Sequence, residues 1–391
     1  MRATVQMDEG LFAGGPPMTW TRALRLARPP EERRAARPLL TVVCVGWIPL
    51  VVLAAGDALT GNVAAITFFT DAAVHARFLI ALPLLILAEA DLIPLLGRIS
   101  SHFLSSGLVG EEDYSRYKNA ITSTKQLLGA KAADLITFLL AYLVVMALIL
   151  NLAHENTPRW YWSGPGRLEL SPPGLWHAFV SVPLLLWLCF GWLWRLLLWW
   201  RLLGKMSRLN LRLIPSHPDR VGGLKFLSVA IRGHRMLAMA VGVIVAGNEV
   251  NSMLQTGVPH IGYQNAFFAV AVLMLVLAAG PLSMFIMKLR DLKLRGMLQY
   301  GPFAAAVATE FEKRWLQKAR HVDVKTLEVS DFSAMTDLYQ VASNVYEVDD
   351  FPFHWKDLIP VVIWSMIPFV PAALMTVPLS DILQNVKALL L

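Results

Sequence analysis

Charge and cysteine are both scarce in this chain. Of its 391 residues only 16% are charged, and the two cysteines, Cys44 and Cys189, both fall inside apolar runs. They form no CxxC pair and no metal-like spacing, so they point to no disulfide framework, thiol redox couple or cysteine metal site. Catalytic signatures are missing as well: the sequence holds no GxSxG, HExxH, Walker A or GxGxxG pattern, and no pair of aspartates on adjacent spans in a protease-like setting. An enzyme is therefore the weaker expectation, and neither a cofactor nor a bound metal is expected. No internal repeat or low-complexity tract stands out.

Apolar residues are abundant instead. They make up 56% of the chain, with 13 tryptophans, and the mean hydropathy is +0.52. That profile belongs to multi-span membrane proteins. Seven apolar runs, at 39–59, 74–97, 132–153, 175–200, 234–256, 264–287 and 358–379, each approach the roughly 20 residues that cross hydrocarbon as helix. The expected fold is an all-α polytopic transmembrane bundle of about seven spans with a cytoplasmic helical layer.

The net charge of +7 would suggest nucleic acid in a soluble protein. Here the basic residues flank apolar runs, so orientation and anionic lipid at the cytoplasmic face account for them, and no nucleic-acid partner is expected. Seven arginines (Arg2, Arg22, Arg25, Arg28, Arg33, Arg34, Arg37) precede the first run; a cleaved signal peptide is not expected. Lysine and arginine crowd the 98–131, 201–233 and 288–357 segments, whereas 60–73 and 257–263 have none. The positive-inside rule then puts the N-terminus in the cytoplasm of an inner-membrane protein, with the connections near 60, 160 and 260 facing outward.

The domain reading follows: a basic arm over 1–37, six spans within 38–287, a cytoplasmic helical segment over 288–357, and a last membrane segment with an amphipathic tail over 358–391. Helices are expected after the acidic run Glu111, Glu112, Asp113 and near 302–319 and 332–347, the last two separated by a linker with His321 and Asp323. Pro360, Pro368, Pro371 and Pro378 leave two forms open for the last run, a crossing helix or a re-entrant hairpin. The tail SDILQNVKALLL reads as a short helix on a bilayer surface or against other spans.

The second run, FFTDAAVHARFLIALPLLILAEADLIPLL, carries Asp71, His75, Arg77, Glu89 and Asp91. Ionisable groups at membrane depth are costly and suggest function. At about 100° per residue, Asp71, His75 and Glu89 share a face within about 40°, while Arg77 and Asp91 point to the other side. Asp71 and His75 are in reach of each other, and Glu89, nearest mid-membrane, is the strongest functional candidate. An ion or proton path competes with plain interhelical pairing as the explanation.

The fifth run has a polar stripe, Asn248, Asn251, Ser252 and Gln255, with Glu249 beside it. These groups either coordinate an ion and line a pore mouth or hydrogen-bond another helix. Ala238, Gly242 and Ala246 give small-xxx-small spacings, which predict a central helix with close neighbours. Asn151, His154, Glu155 and the Arg159–Trp162 stretch read as an outer interface belt, with His154, Glu155, Asp71, His75 and His260 near one membrane side but without a compact ligand motif. Trp192, Trp194, Trp199 and Trp200, interleaved with Arg195 and Arg201, read as inner anchors.

One loop is distinctive, IPSHPDRVGGLKFL from Ile214 to Leu227. His217, Pro218 and Asp219 resemble the His-Pro-Asp signature of J-domain co-chaperones, but the flanking spans leave too little chain for that domain's helical core. Pro218, Gly222 and Gly223 read as turn chemistry. A second reading makes His217, Asp219, Arg220, Gly222, Gly223 and Lys225 a site for an anion or lipid headgroup. The string HPDRVGGLKFL, set between two spans, also resembles a loop of an uncharacterised group of bacterial multi-span membrane proteins, a resemblance that implies no activity.

The leading functional expectation is a channel or transporter for a small ion, its polar route lined by Asp71, His75, Glu89, Asn248, Glu249, Asn251 and Ser252, and assembled as a homo-oligomer. The alternatives are a membrane scaffold or sensor acting through cytoplasmic loops, and an intramembrane enzyme on a lipid-linked or anionic substrate.

Overall fold

The computed structural model describes residues 11–16, 36–150, 158–163, 169–257, 262–316 and 331–376. Among them the ordered structure is helical, with isolated bridges such as Val109 to Leu211 and no strand. Seven helices are long and apolar enough to cross a membrane: Leu40–Leu59, Ala72–Ser105, Lys131–Leu150, Pro172–Met206, Lys225–Thr256, Tyr263–Lys313 and Trp355–Thr376. The chain is a multi-pass integral membrane protein. Ordinal numbers below refer to these spans, and the end carrying the 98–131 and 201–233 connections is the basic end.

The fifth span is the hub. It packs against the second, sixth and seventh spans, and its small residues explain why. A Cβ on Gly242 would lie 2.6 Å from the Ser365 carbonyl of the seventh span, and one on Gly247 would lie 2.6 Å from Ala76 Cβ of the second. Ala238 and Ala246 are buried in the same seams. Without a hydrophobic drive between helices in lipid, such close backbone approach is what gives a pair its packing energy. The third span leans on the fourth, and the helix Tyr114–Leu128, which follows a tight turn at Glu111–Asp113, packs on the fourth span's basic half.

Two spans begin in the same unusual way. The second is capped by Asp71, whose Oδ1 accepts from Val74 N at 3.2 Å; the fourth is capped by Ser171, whose Oγ accepts from Gly174 N at 3.0 Å. Each then passes through a π-helical stretch, Ala76–Ala81 and His177–Ser181, before regular α-helix resumes. Short π segments inside α-helices are frequent at functional sites because they re-aim side chains.

At the basic end the sixth span does not stop where its charges begin: α-helix runs without a break over Ile286–Trp315, past Pro302, and pairs with Asp331–Tyr346. The described start of the 288–357 segment, up to Trp315, is thus continuous with the sixth span, because lysines and arginines change a helix's surroundings without breaking it. The linker with His321 and Asp323 lies outside the described residues, as does the tail from 377. The seventh span is one rod, Trp355–Met366 and Val370–Thr376 joined by a 3-10 turn at Ile367–Phe369. Its prolines tighten it without folding it back within these bounds.

Buried ions hold the layers together. Arg195, 1% exposed, donates from Nη2 to Glu89 Oε1 at 3.0 Å and to the Gly14 carbonyl at 3.1 Å. That carbonyl belongs to a short stretch of the N-terminal arm whose Leu11 and Phe12 are also buried, Phe12 edge-on to Trp199 at 5.9 Å. Asp357, 2% exposed, binds Arg232 and lies 3.5 Å from Lys225 Nζ, tying the seventh span to the base of the fifth. The Trp192 indole donates to Leu85 O at 3.1 Å, and Trp199 is fully buried. Trp192 and Arg195 are interior joints where the sequence suggested interfacial anchors, because a buried indole N–H or guanidinium seeks a carbonyl or carboxylate in the bundle.

Removing one partner of a buried ion pair strands the other, at a cost of about 3–5 kcal/mol. Arg195→Met or Glu89→Leu alone is therefore expected to lower the unfolding temperature in detergent markedly, while the double variant regains most of the loss. Additive losses would contradict the pairing.

Candidate functional site

The two capped helix starts meet at one tryptophan. Trp160, fully buried, donates from Nε1 to Asp71 Oδ2 at 2.9 Å and accepts at its carbonyl from Ser171 Oγ at 2.6 Å. The next residue, Tyr161, has its phenol 3.1 Å from His177 Nδ1 on the fourth span's π segment. Burial pushes the Tyr161 phenol up to about 12 against an opposing pull from nearby Arg77, so it stays a hydroxyl at neutral pH. Phe78 and Trp160 stand edge-on to the same imidazole.

Beside this cluster lies a cavity of about 530 Å3, at the end of the bundle opposite the basic loops. Asp71 and Arg77 of the second span, His177 of the fourth, and Asn248, Asn251, Ser252 and Gln255 of the fifth line it. Its other wall is apolar, from Val145, Leu148 and Ile149 of the third span and Ala178 and Val182 of the fourth. Size and mixture suit a small-molecule site, a mostly apolar pocket with a few convergent polar groups.

The polar wall is organised by the fifth span. Asn248 Oδ1 accepts from Arg77 Nη2 at 2.5 Å, and Asn251 Oδ1 accepts from Ala72 N at 3.1 Å. Asp71 and Asn251 together satisfy two of the backbone donors that any helix start leaves open. Both Asp71 oxygens face donors, Val74 N and Trp160 Nε1. Arg77 differs: a guanidinium has five N–H donors, and the hydrogen bond to Asn248 uses one. The cavity's positive charge is consequently the one with donors to offer.

The structure divides the residues read from sequence. Asp71, Asn248, Asn251 and Ser252 come together, and Arg77 joins them although the helix-face count put it on the opposite side. Asp71 is an extended N-cap rather than a helical residue, and π-helical bonding starts at Ala76, so a uniform 100° step does not describe this turn. His75 is elsewhere: its Nδ1 accepts from Trp47 Nε1 at 3.1 Å and its Nε2 lies 3.3 Å from Phe69 O, with no described side-chain contact to Asp71. Glu89 is held by Arg195 at the other end of the span and does not line the cavity. Asp91 pairs with Arg235 at 2.9 Å. Glu249 is next to the cavity stripe without lining it.

Tyr161, His177 and Trp160 were not singled out for this site from sequence. The one signal was His177 itself, a lone imidazole six residues after the Ser171 cap in an apolar run, much as His75 follows Asp71. Asn151, His154, Glu155 and His260 lie outside the described residues. Among the described residues no three His, Cys, Asp or Glu side chains gather as metal ligands.

The HPDRVGG loop is a joint. Asp219 accepts from Val221 N and Gly223 N through Oδ1, both at 3.0 Å, and from Lys225 N through Oδ2 at 3.1 Å; His217 Nδ1 lies 2.7 Å from Oδ1. The backbone donors that a bound anion would need already face the chain's own carboxylate. Arg220, Gly222 and Gly223 take positive φ (60°, 65°, 98°) to wrap around it. Arg220 then docks the helical layer, with its side chain 2.8 Å from Glu347 and its carbonyl accepting from Asp349 N at 2.8 Å.

Burial opposes ionisation of Asp219, but the three N–H groups and His217 outweigh it and hold the carboxyl below its ordinary value of 3.8. A carboxyl with a depressed pKa contributes stability that is complete above its unfolded value and disappears as pH falls through the lowered one. Asp219→Asn is thus expected to destabilise at neutral pH, with the deficit shrinking on acidification below about pH 3.8. Unfolding of both proteins in detergent across pH checks this, and a deficit independent of pH would contradict it.

No family model, curated protein or solved structure matches this chain.

Proposed function

We propose that the protein is a transporter for a small anion, with the cavity at the end opposite the basic loops as its binding chamber. The observation that carries this reading is Arg77, placed by a π-helical turn in a polar and apolar cavity with only one of its donors used toward Asn248. A cation at membrane depth is expensive. An anion that enters, binds and leaves is the partner such a site suits.

Several features favour a carrier over an open pore. Toward the basic end, Phe78, Leu82 and Leu85 are buried, Trp192 bonds Leu85, and Arg195 closes on Glu89 and Gly14. The cavity therefore resembles one face of an alternating-access cycle, closed toward the basic end by the buried layer of Phe78, Leu82 and Leu85. By the positive-inside rule the chamber faces outward.

The test is flux in proteoliposomes loaded with chloride, inorganic phosphate, acetate or octanoate. The wild type is expected to move at least one, and Arg77→Ala and Asn248→Ala to reduce that flux at least tenfold while the protein stays monodisperse. A wild type that moves none of them, or an Arg77→Ala variant with undiminished flux, would overturn the proposal.

A further inference from the structure

The cavity opens sideways as well as endwise. Asn248, Ser252 and Gln255 are exposed, and Asn248 lies eight residues before the fifth span's last residue, Thr256, about 12 Å down the helix axis. Across from it Leu148, another lining residue, is 55% exposed. The third span packs on the fourth, and the fifth on the second, sixth and seventh. Among the described residues, these lining residues of the third and fifth spans meet the surroundings on the side between the two spans. An amide that faces lipid at that depth lacks the water it would otherwise bind.

One kind of ligand satisfies both walls. A negatively charged head receives Arg77, Asn248 and the neighbouring polar groups, while an alkyl chain lies along Val145, Leu148 and Ile149. A soluble inorganic anion would leave the apolar wall without a role, and a neutral lipid would offer the guanidinium's remaining donors no charged acceptor beyond Asp71. We infer that the solute bound here is an acidic single-chain amphiphile, a carboxylate or phosphate head on an alkyl chain, which enters from the bilayer between the third and fifth spans. This rests on the carrier reading of the same cavity and names its substrate class. The chemistry is shared by a free long-chain acid and by a single-chain phospholipid, so the probes separate them.

The full-length protein, in vesicles of neutral phosphatidylcholine, is photolabelled with a long-chain fatty acid bearing a diazirine on its chain, and the labelled peptides are mapped. Labelling is expected within Lys131–Leu150, competed by dodecanoate or dodecyl phosphate, unaffected by dodecanol or inorganic phosphate, and reduced at least tenfold in Arg77→Ala. Asn248→Ala, which keeps the charge, serves as a second variant, and labelling is read per folded molecule after thermal unfolding confirms both. Stronger competition by lysophosphatidic acid than by dodecanoate would support the inference and assign the phospholipid source; the reverse would support it and assign the free acid.

Other outcomes overturn it. Labelling indifferent to Arg77→Ala and to competitors is ordinary annular lipid. Competition by inorganic phosphate or acetate as strong as by dodecanoate removes the amphiphile and leaves the small-anion carrier standing. Cross-linking of Ser252→Cys to the same position in a second copy makes this face a subunit contact and removes the portal. Failure of every acid to bind or be transported removes both readings together.

Discussion

Two contacts of the fifth span, Gly247 against Ala76 and Gly242 against the Ser365 carbonyl, set the geometry on which the rest depends. At each there is no room for a side chain, so three spans are locked in depth and rotation by backbone packing. With Gly247 pressed on the start of the second span, the next residues must face that helix start. Asn251 reaches Ala72 N, and Asn248 reaches Arg77. The site is therefore a consequence of close helix packing around the fifth span.

Polar groups inside the bundle sort into two kinds. Glu89 with Arg195, and Asp357 with Arg232 and Lys225, are sealed pairs that join spans; they have charge to balance and no solute to receive. Around the cavity the arrangement is different. Asp71 accepts from two donors of the fold and its carboxylate acts electrostatically on Arg77, while Arg77 keeps donors in hand and exposed amides stand next to it. A cation with hydrogen-bond donors unused, beside exposed amides in a cavity, is the pattern of a binding site, and a closed pair is the pattern of a joint. This contrast locates function at Arg77 rather than at Glu89.

Much of the architecture was legible in the sequence, because a span announces itself by a long charge-poor run and a central helix by its small residues; the fifth span's stripe and its Gly242 seam were both visible. The local aim of the second span was not. Its helix-face count assumed that Asp71 is helical and that the turn is regular, and a capping residue and a π segment break both assumptions. Glu89 drew attention because it lies nearest mid-membrane, and its pairing was not visible because its partner Arg195 lies 106 residues later in sequence among tryptophans that suggested an interface. Trp160, Tyr161 and His177 belong to the site only through tertiary contact between a loop and a span, which no local pattern encodes.

The most direct test of a water-reached cavity whose anion preference comes from Arg77 is the charge preference of a thiol placed in it. With Cys44 and Cys189 replaced by alanine, Ser252→Cys in vesicles is treated with anionic and cationic methanethiosulfonates, each rate being divided by that of a free thiol. The account predicts modification from the side opposite the basic loops, faster for the anionic reagent, with the preference lost or inverted on adding Arg77→Ala. No modification from that side, or the same charge preference with and without Arg77, would contradict it.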